Sequence, residues 1–295
     1  MPQPPVGLTD DRDRLLTWAA AAGRDLPWRA TRDPWEVLVA EVMLQQTQVA
    51  RVVPAWQAFL VRFPTVGACA AAPVADVITR WAGLGYNRRA VFLHRSAVAV
   101  VEQHDGRFPD DLPGLLALPG IGPYTARALL AFAFERDVGV VDTNAARVLA
   151  RWAGVRLTPT QVQQRADAAV PAGRGWAWNQ AMLDLGATVC TARSPACERC
   201  PVRRACAWCT AGWPAPDPAV RSAGVSRGQS RFEGSDRQGR ARLVDALRAD
   251  GAVAPGELAV RAGWPGEPDR ARRAADGLVA DGLAVGDGVG GLRLP

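Results

Sequence analysis

Apolar residues recur at helical spacing through most of the first 210 positions. Periodic segments cover roughly 9–22, 35–63, 73–82, 88–104, 124–134, 143–153, 160–170 and 175–187. The breaks carry Pro or Gly: Pro27, Pro64, Pro73, the Gly83-Leu84-Gly85 triplet, Pro109, Pro119-Gly120, Pro159 and Pro171. The run 138–141 has the composition of a strand. With no partner strand evident, it reads as the approach to the next helix, and the region reads as all-α.

The pattern changes after position 209. Residues 213–238 are rich in Pro, Gly, Ser and Arg and poor in apolar side chains, as a tether is. Six Arg between 221 and 242 face only Glu233 and Asp236, which suits a solvated tether or a contact to a DNA backbone. Periodicity returns from 236. Helices fit 236–249, 255–262 and 269–280, and extended pieces follow around 283–285 and 291–294 across a Gly-rich turn. Three helices and a small hairpin give the order of a winged helix-turn-helix. The same order suits a docking domain that touches no DNA, because the third helix mixes Arg270, Arg272 and Arg273 with Glu267, Asp269 and Asp276. The expected organisation is a core over 1–212, a flexible basic linker over 213–235 and a winged-helix-like domain over 236–295.

Composition narrows the function classes. With 48% hydrophobic and 22% charged residues, disorder and collagen-like arrays are excluded. There is no apolar run of about 18 residues and no signal-peptide pattern at the start, so neither a membrane span nor export is expected. The expected location is cytoplasmic. A net charge of +6 favours an acidic partner such as nucleic acid. All 35 basic side chains are Arg, so no lysine amine is present to form a Schiff base.

Six Cys are present, five of them between Cys190 and Cys209. Clustering without an export signal points to a metal rather than disulfides. The spacing is Cys190-x6-Cys197-x2-Cys200-x5-Cys206, and Pro195 and Pro201 interrupt it. Four such thiolates suit one centre, either Zn²⁺ or a [4Fe–4S] cluster. Cys209 competes as a ligand. Cys69, in an Ala-rich stretch, reads as a small buried apolar residue.

Three further segments carry candidate chemistry. LPGIGPYTA at 118–126 follows one helical segment, with Leu112 and Leu115 on its packing face, and opens another. Gly120 and Gly122 permit close backbone approach, and the amides at a helix start suit a phosphate. Such a hairpin grips a DNA backbone without reading sequence; an ordinary helical turn has the same appearance. The segment 35–49 is apolar on nearly every side and predicts a buried helix. Glu41 is its one charge between Glu36 and Arg51, with Val37, Leu38, Leu44, Gln45 and Gln48 on its face. Desolvation there raises a carboxyl pKa and suits a general acid, unless an Arg pairs with it as structural support. Asp142 precedes the helix at 143–153 as a natural N-cap, and helix N–H groups are expected to keep it ionised. One carboxyl tuned to hold its proton and one tuned to lose it are what glycosidic bond cleavage uses.

Taken in order, LPWR (26–29), EVMLQQTQV (41–49), GLGY (83–86), LPGIGPYTA, VDTN (141–144) and the four-Cys loop resemble the MutY-type adenine DNA glycosylases. That family belongs to the helix-hairpin-helix superfamily that also contains endonuclease III, and the resemblance covers roughly 8–210. It implies two α-helical lobes with an iron–sulfur loop: a six-helix barrel over about 24–133, and a cluster domain from about 1–23 and 134–212. It implies a [4Fe–4S] cluster on Cys190, Cys197, Cys200 and Cys206. It implies that adenine is flipped from the duplex, that Glu41 protonates it at N7, and that Asp142 stabilises the charge developing on the sugar. Tyr124 and Asn144 would support the intermediate and the approach of water. Trp28 and Arg29 would wall the base pocket. Gln46 and Tyr86 would form the wedge near the opposing base, with Gly120 and Gly122 on the DNA backbone.

Tyr124 stands where lyase relatives carry a Schiff-base lysine, which implies a monofunctional glycosylase. The expected substrate is double-stranded DNA with adenine mispaired with 8-oxoguanine or guanine, and the expected state is a monomer without a membrane partner. Three positions depart from the family. Asn87, followed by Arg88 and Arg89, replaces a frequent second Tyr. Asp184 replaces a frequent Glu. The winged-helix-like tail stands where a Nudix-like domain is usual. The competing readings are a mismatch thymine or uracil glycosylase and a non-catalytic DNA-binding scaffold.

Overall fold

Helix follows helix through the computed structural model, which describes residues 8–222 and 231–295; positions 223–230 of the expected linker lie outside the described residues. The elements are α1 (Leu8–Ala22), α2 (Pro34–Leu44), α3 (Val49–Arg62), α4 (Val66–Ala70), α5 (Val74–Arg80), α6 (Arg88–His104), α7 (Leu112–Ala117) and α8 (Pro123–Phe132). After these come α9 (Thr143–Ala153), α10 (Pro159–Ala169), α11 (Gly175–Thr188), α12 (Ala207–Thr210), α13 (Asp236–Asp250), α14 (Leu258–Ala262) and α15 (Pro268–Ala280). Among the described residues no helix is long and apolar enough to cross a membrane. Two compact units alternate along the chain: Met1–Val37, Asp110–Leu112 and Gly122–Gly228 form one, and Leu38–Pro109, Pro113–Ile121 and Gln229–Pro295 the other.

The first unit is built around α11, which packs against α1, α8 and α9. Its core joins Leu15, Ala146, Leu149, Val162, Trp178 and Leu185. Gly186 lets α11 approach α9 closely, since a Cβ there would lie 2.6 Å from the Cβ of Asn144. The stretch before α9 needs no partner strand because Asn179 serves it. Its side chain accepts from Val140 N and donates to Val138 O, each at 2.8 Å. The LPWR motif folds as a single 3₁₀ turn, Pro27–Arg29. Arg29 meets the Asp184 carboxylate through two hydrogen bonds of 2.8 and 2.7 Å, and Arg24 adds a third at 2.6 Å. Burial works against that carboxylate, but the bonds from Arg29 and Arg24 outweigh it and hold its pKa below the ordinary value.

The expected linker does not begin as a free tether. Asp217 pairs with Arg151 at 2.7 Å, Ser222 accepts from Leu157 N at 3.1 Å, and Ala219 is buried. Residues 217–222 are thus fixed on the first unit before the described chain stops.

In the second unit α6 packs against α4 and α5. Its buried stripe runs Arg89, Leu93, Ser96, Ala97, Val100, a helical spacing with a charge at its head. The periodic segment 35–63 does not form one helix. It breaks at 45–48, where Gln46 adopts a left-handed φ of 60°. Arg89 supplies the cause. Its guanidinium donates to the carbonyls of Val42, Met43 and Gln45 at 2.7, 2.9 and 2.6 Å, taking acceptors that further helix would have used. It also donates to Leu84 O, Gly85 O and Thr47 Oγ1, at 3.2, 3.0 and 3.0 Å. Burial lowers the Arg89 pKa to about 10, which keeps it a cation.

The tail is α13, α14 and α15 with a three-stranded antiparallel sheet in the order β1-β3-β2, where β1 is Ala252–Val253, β2 is Val285–Gly286 and β3 is Leu292–Arg293. The expected hairpin therefore gains a strand. Two residues are too few to show an alternating pattern, which hid β1 in the sequence.

Two substitutions test these clamps. Arg89→Met leaves buried carbonyls without a donor and is expected to cost about 3 kcal/mol, read as a lower denaturant midpoint. Asp184→Asn strands the Arg29 charge and is expected to cost about 3–5 kcal/mol. Because the folded Asp184 pKa is depressed, this stability is present above the ordinary carboxylate pKa and is lost as pH falls through the depressed one. The melting-temperature gap between wild type and Asp184→Asn should therefore close on acidification.

Candidate active site and cluster site

The first unit places Asp142 and Asn144 together at the start of α9. Asp142 caps the helix, accepting from the amides of Asn144 and Ala145 at 2.8 and 2.7 Å. Its second oxygen accepts from the Asn144 side-chain amide at 2.8 Å. Arg147 then donates to Asn144 Oδ1 at 2.8 Å and to Gly186 O at 2.5 Å, which fixes the orientation of that amide. The cap exists as the sequence predicts, but its effect on titration differs. Burial pushes the Asp142 pKa up and outweighs the opposing pull of the Ala145 and Asn144 hydrogen bonds and the Arg147 charge. The amides of a cap are visible in the sequence; the desolvation is not.

Tyr124 lies in the same unit as the second residue of α8, and Gly122 is that helix's N-cap, with Pro123 at its first position. Trp28 is buried in the 3₁₀ turn. The Arg29 guanidinium is held by Asp184 and Arg24 O, yet among the described residues its Nε is the one buried side-chain polar atom without a partner.

The second unit carries Glu41, Gln46, Tyr86 and Gly120. Glu41 is 6% exposed on α2, flanked by buried Ala40 and Val42. Its helical face is shorter than expected, because α2 ends at Leu44 and Gln45 and Gln48 lie beyond it. Gln46 and Tyr86 are exposed, and both adopt positive φ, 60° and 46°. The loops that present them are the two that Arg89 binds. In the sequence Arg89 stands out only as part of a departure from the family; a charge in register with an apolar helical stripe is the signal for its role. Gly120, at φ 76°, sits against Phe92, where a Cβ would come within 2.6 Å.

Cys190, Cys197, Cys200 and Cys206 line one cavity of about 30 Å³, closed by Arg151, Val189, Pro195 and Trp208. Cys209 lines it too. Arg151 donates to Cys190 Sγ at 3.3 Å and to the carbonyls of Thr191 and Ala192, at 2.7 and 3.1 Å, so it fixes the loop's first cysteine. Arg147 donates to Cys190 O at 2.7 Å from one turn earlier on α9. Neither Arg was singled out in the sequence; their i, i+4 spacing was the available signal. Burial raises the thiol pKa at Cys190 and Cys206, and to about 12 at Cys200. Thiolates there need a cationic centre, as four Cys around a common space provide for an iron–sulfur cluster. Cys69 is wholly buried and its thiol is pushed up to about 12, in keeping with an inert core residue.

Residues 39–172 match the HhH-GPD superfamily base excision DNA repair protein, and 190–206 match the iron-sulfur binding domain of endonuclease III. The adenine DNA glycosylase of Mycolicibacterium smegmatis is 43% identical over 274 residues, covering 91% of this chain and 90% of its own. A thermostable thymine-DNA glycosylase matches with a TM-score of 0.64 at 28% identity, over 69% of this chain and 97% of its own. An endonuclease III trapped covalently on DNA shares the fold, with a TM-score of 0.62 at 23% identity, over 72% of this chain and all of its own. The cysteine loop therefore holds a [4Fe–4S] cluster rather than zinc. Matched to the mycobacterial enzyme over nine-tenths of both chains, and carrying the family's core and cluster loop, the chain belongs to the adenine DNA glycosylases of base excision DNA repair.

Proposed function

We propose that the chain hydrolyses the N-glycosidic bond of adenine mispaired with 8-oxoguanine or guanine, acting as a monofunctional glycosylase. The observation that carries this reading is the Arg147–Asn144–Asp142 chain of hydrogen bonds. It holds a desolvated carboxylate and an amide side by side at a helix start in an adenine DNA glycosylase. The duplex surrenders the adenine to a pocket in which Trp28 lies against it and the Arg29 Nε–H meets an acceptor on its edge. Glu41 donates its proton to N7, so the C1′–N9 bond breaks with the base leaving as a neutral species. Asp142 faces the cationic sugar. Water, guided by Asn144 and Tyr124, adds at C1′ and gives up a proton that restores the Glu41 carboxyl, and free adenine and an abasic site result.

A carboxylate in a low-dielectric site interacts with a developing cation more strongly than a solvated one. Burial of Asp142 thus serves the transition state that its cap orients it to meet. With Tyr124 in place of a lysine and no Lys in the chain, no side-chain amine is present for the lyase step. Bound to Cys190, Cys197, Cys200 and Cys206, the cluster supplies a covalent tie across the loop, and none of these steps passes through it. The protein is taken to act as a monomer in the cytoplasm.

Single-turnover base release on A·8-oxoguanine, A·G, T·G and U·G duplexes tests the reading. Adenine should be released fastest opposite 8-oxoguanine, and Glu41→Gln should slow release by about 10²-fold or more while duplex binding persists. Release of thymine or uracil instead would replace adenine as the substrate, and binding without release would make the chain a scaffold. Because the Asp142 pKa is raised and the ionised form is needed, the rate should fall on acidification along a limb above the ordinary carboxylate value of 3.8, and Asp142→Asn should abolish that limb with the activity.

A further inference from the structure

Within the second unit, the tail meets the loop on which Tyr86 is exposed. Arg248, on α13, donates through Nε and Nη2 to Ile78 O at 3.1 and 2.8 Å, and through Nη2 to Asn87 Oδ1 at 2.9 Å. Its side chain is 9% exposed and Asn87 is equally buried. Arg237, three turns earlier on the same helix, donates to the Tyr86 hydroxyl at 3.3 Å. At the end of α15, Asp281 faces Arg88 Nε at 3.3 Å and also pairs with Arg240. Gly282 follows with φ 71°, and a Cβ there would lie 3.4 Å from Val91 on α6. Apart from the two bonds to Ile78 O, these contacts converge on the short stretch from 86 to 91. They carry two tail arginines to consecutive residues, 86 and 87.

The loop needs such support from outside. Gly83, Gly85 and Tyr86 all adopt positive φ, and Tyr86 has a Cβ to accommodate. Arg89 binds the loop's carbonyls from within and lies over the face of the Tyr86 ring, its guanidinium carbon 5.7 Å from the ring centre, while the hydroxyl end of the ring is left to contacts from the tail. The ring is 44% exposed. Its hydroxyl meets Arg237, and the next side chain meets Arg248. Asn87 is where the chain departs from the frequent second Tyr of its family. The Asn87 amide oxygen accepts a hydrogen bond from the tail close to the backbone, where a tyrosine carries ring carbon and has its one acceptor at the far end of the ring.

We infer that the tail domain braces the Tyr86 loop: Arg248, acting through Asn87, is a positioning residue that holds the Tyr86 ring ready to meet the duplex. This rests on the reading of Tyr86 as a DNA contact. On it, the winged-helix fold meets the reaction through α13 docked on the core, whatever its third helix does.

The chain has only two tyrosines, Tyr86 and Tyr124, so 3-fluorotyrosine labelling of the full-length protein gives two assignable ¹⁹F signals. In Arg248→Met and in Asn87→Ala the Tyr86 signal should move towards that of a free tyrosine and narrow, while the Tyr124 signal stays in place. Asn87→Ala breaks the contact from the core side, so a poorly folded Arg248→Met does not leave the matter open. Binding is then measured with a duplex whose mispaired adenosine carries a 2′-fluorine to slow base loss. Tyr86→Ala should weaken binding about tenfold, the worth of one stacked aromatic. Arg248→Met should weaken it in the wild-type background and add nothing in the Tyr86→Ala background. An unmoved Tyr86 signal, or losses that multiply in the double variant, would overturn the brace alone. Unchanged binding in Tyr86→Ala would overturn the DNA-contact reading and the brace with it.

Discussion

A buried guanidinium organises the face of the second unit that exposes Gln46 and Tyr86. Arg89 is taken out of water at the start of α6, and a cation so placed must find acceptors or be expelled. It finds them in two chain segments far apart in sequence, the end of α2 and the loop before α6. To turn carbonyls inward, each segment leaves regular structure. The helix stops at Leu44 and the loop takes three positive φ angles. The side chains that result on the outside are Gln46 and Tyr86. Their exposure is thus a consequence of what the backbone does underneath.

The same device recurs in the first unit. Arg29 fastens the LPWR turn to α11 through Asp184, Arg147 reaches Cys190 O and Gly186 O, and Arg151 reaches Asp217 and the carbonyls of the cysteine loop. Each binds several acceptors at once in fixed directions. A planar fork with five donors does this, and an ammonium on a flexible stem does not. A chain without Lys has this tool at every basic position. Its arginines therefore divide into a buried set that fixes loops and an exposed set that leaves the net charge at +6 for a polyanion.

Much of this was legible in the sequence. Helical periodicity located the long helices to within a residue or two, and the Cys spacing located the loop that lines one cavity. What escaped has physical reasons. The break inside 35–63 is imposed by a side chain 44 residues away, which no local pattern reports. The strand at 252–253 is too short to alternate. Arg89, Arg147, Arg151 and Arg248 look like surface charge until their partners are known, although three of them sit in register with apolar helix faces. Asp184 was noticed as a departure, and its geometry shows a carboxylate of that length reaching two arginines at once.

Asp142 shows most clearly what position adds to residue type. A cap alone would predict a carboxyl tuned to lose its proton, and burial alone one tuned to keep it. The structure combines both, and burial prevails. For a surface cap this would be a loss, since desolvation opposes the charge that the amides stabilise. For a group that is to face a sugar carrying positive charge only in the transition state, the balance reverses. The amides and Asn144 fix where the charge sits, and the dry surroundings keep its field unscreened. On the proposed mechanism the carboxylate is therefore most stabilised when the glycosidic bond is breaking, which is the difference between ground and transition state that accelerates a reaction.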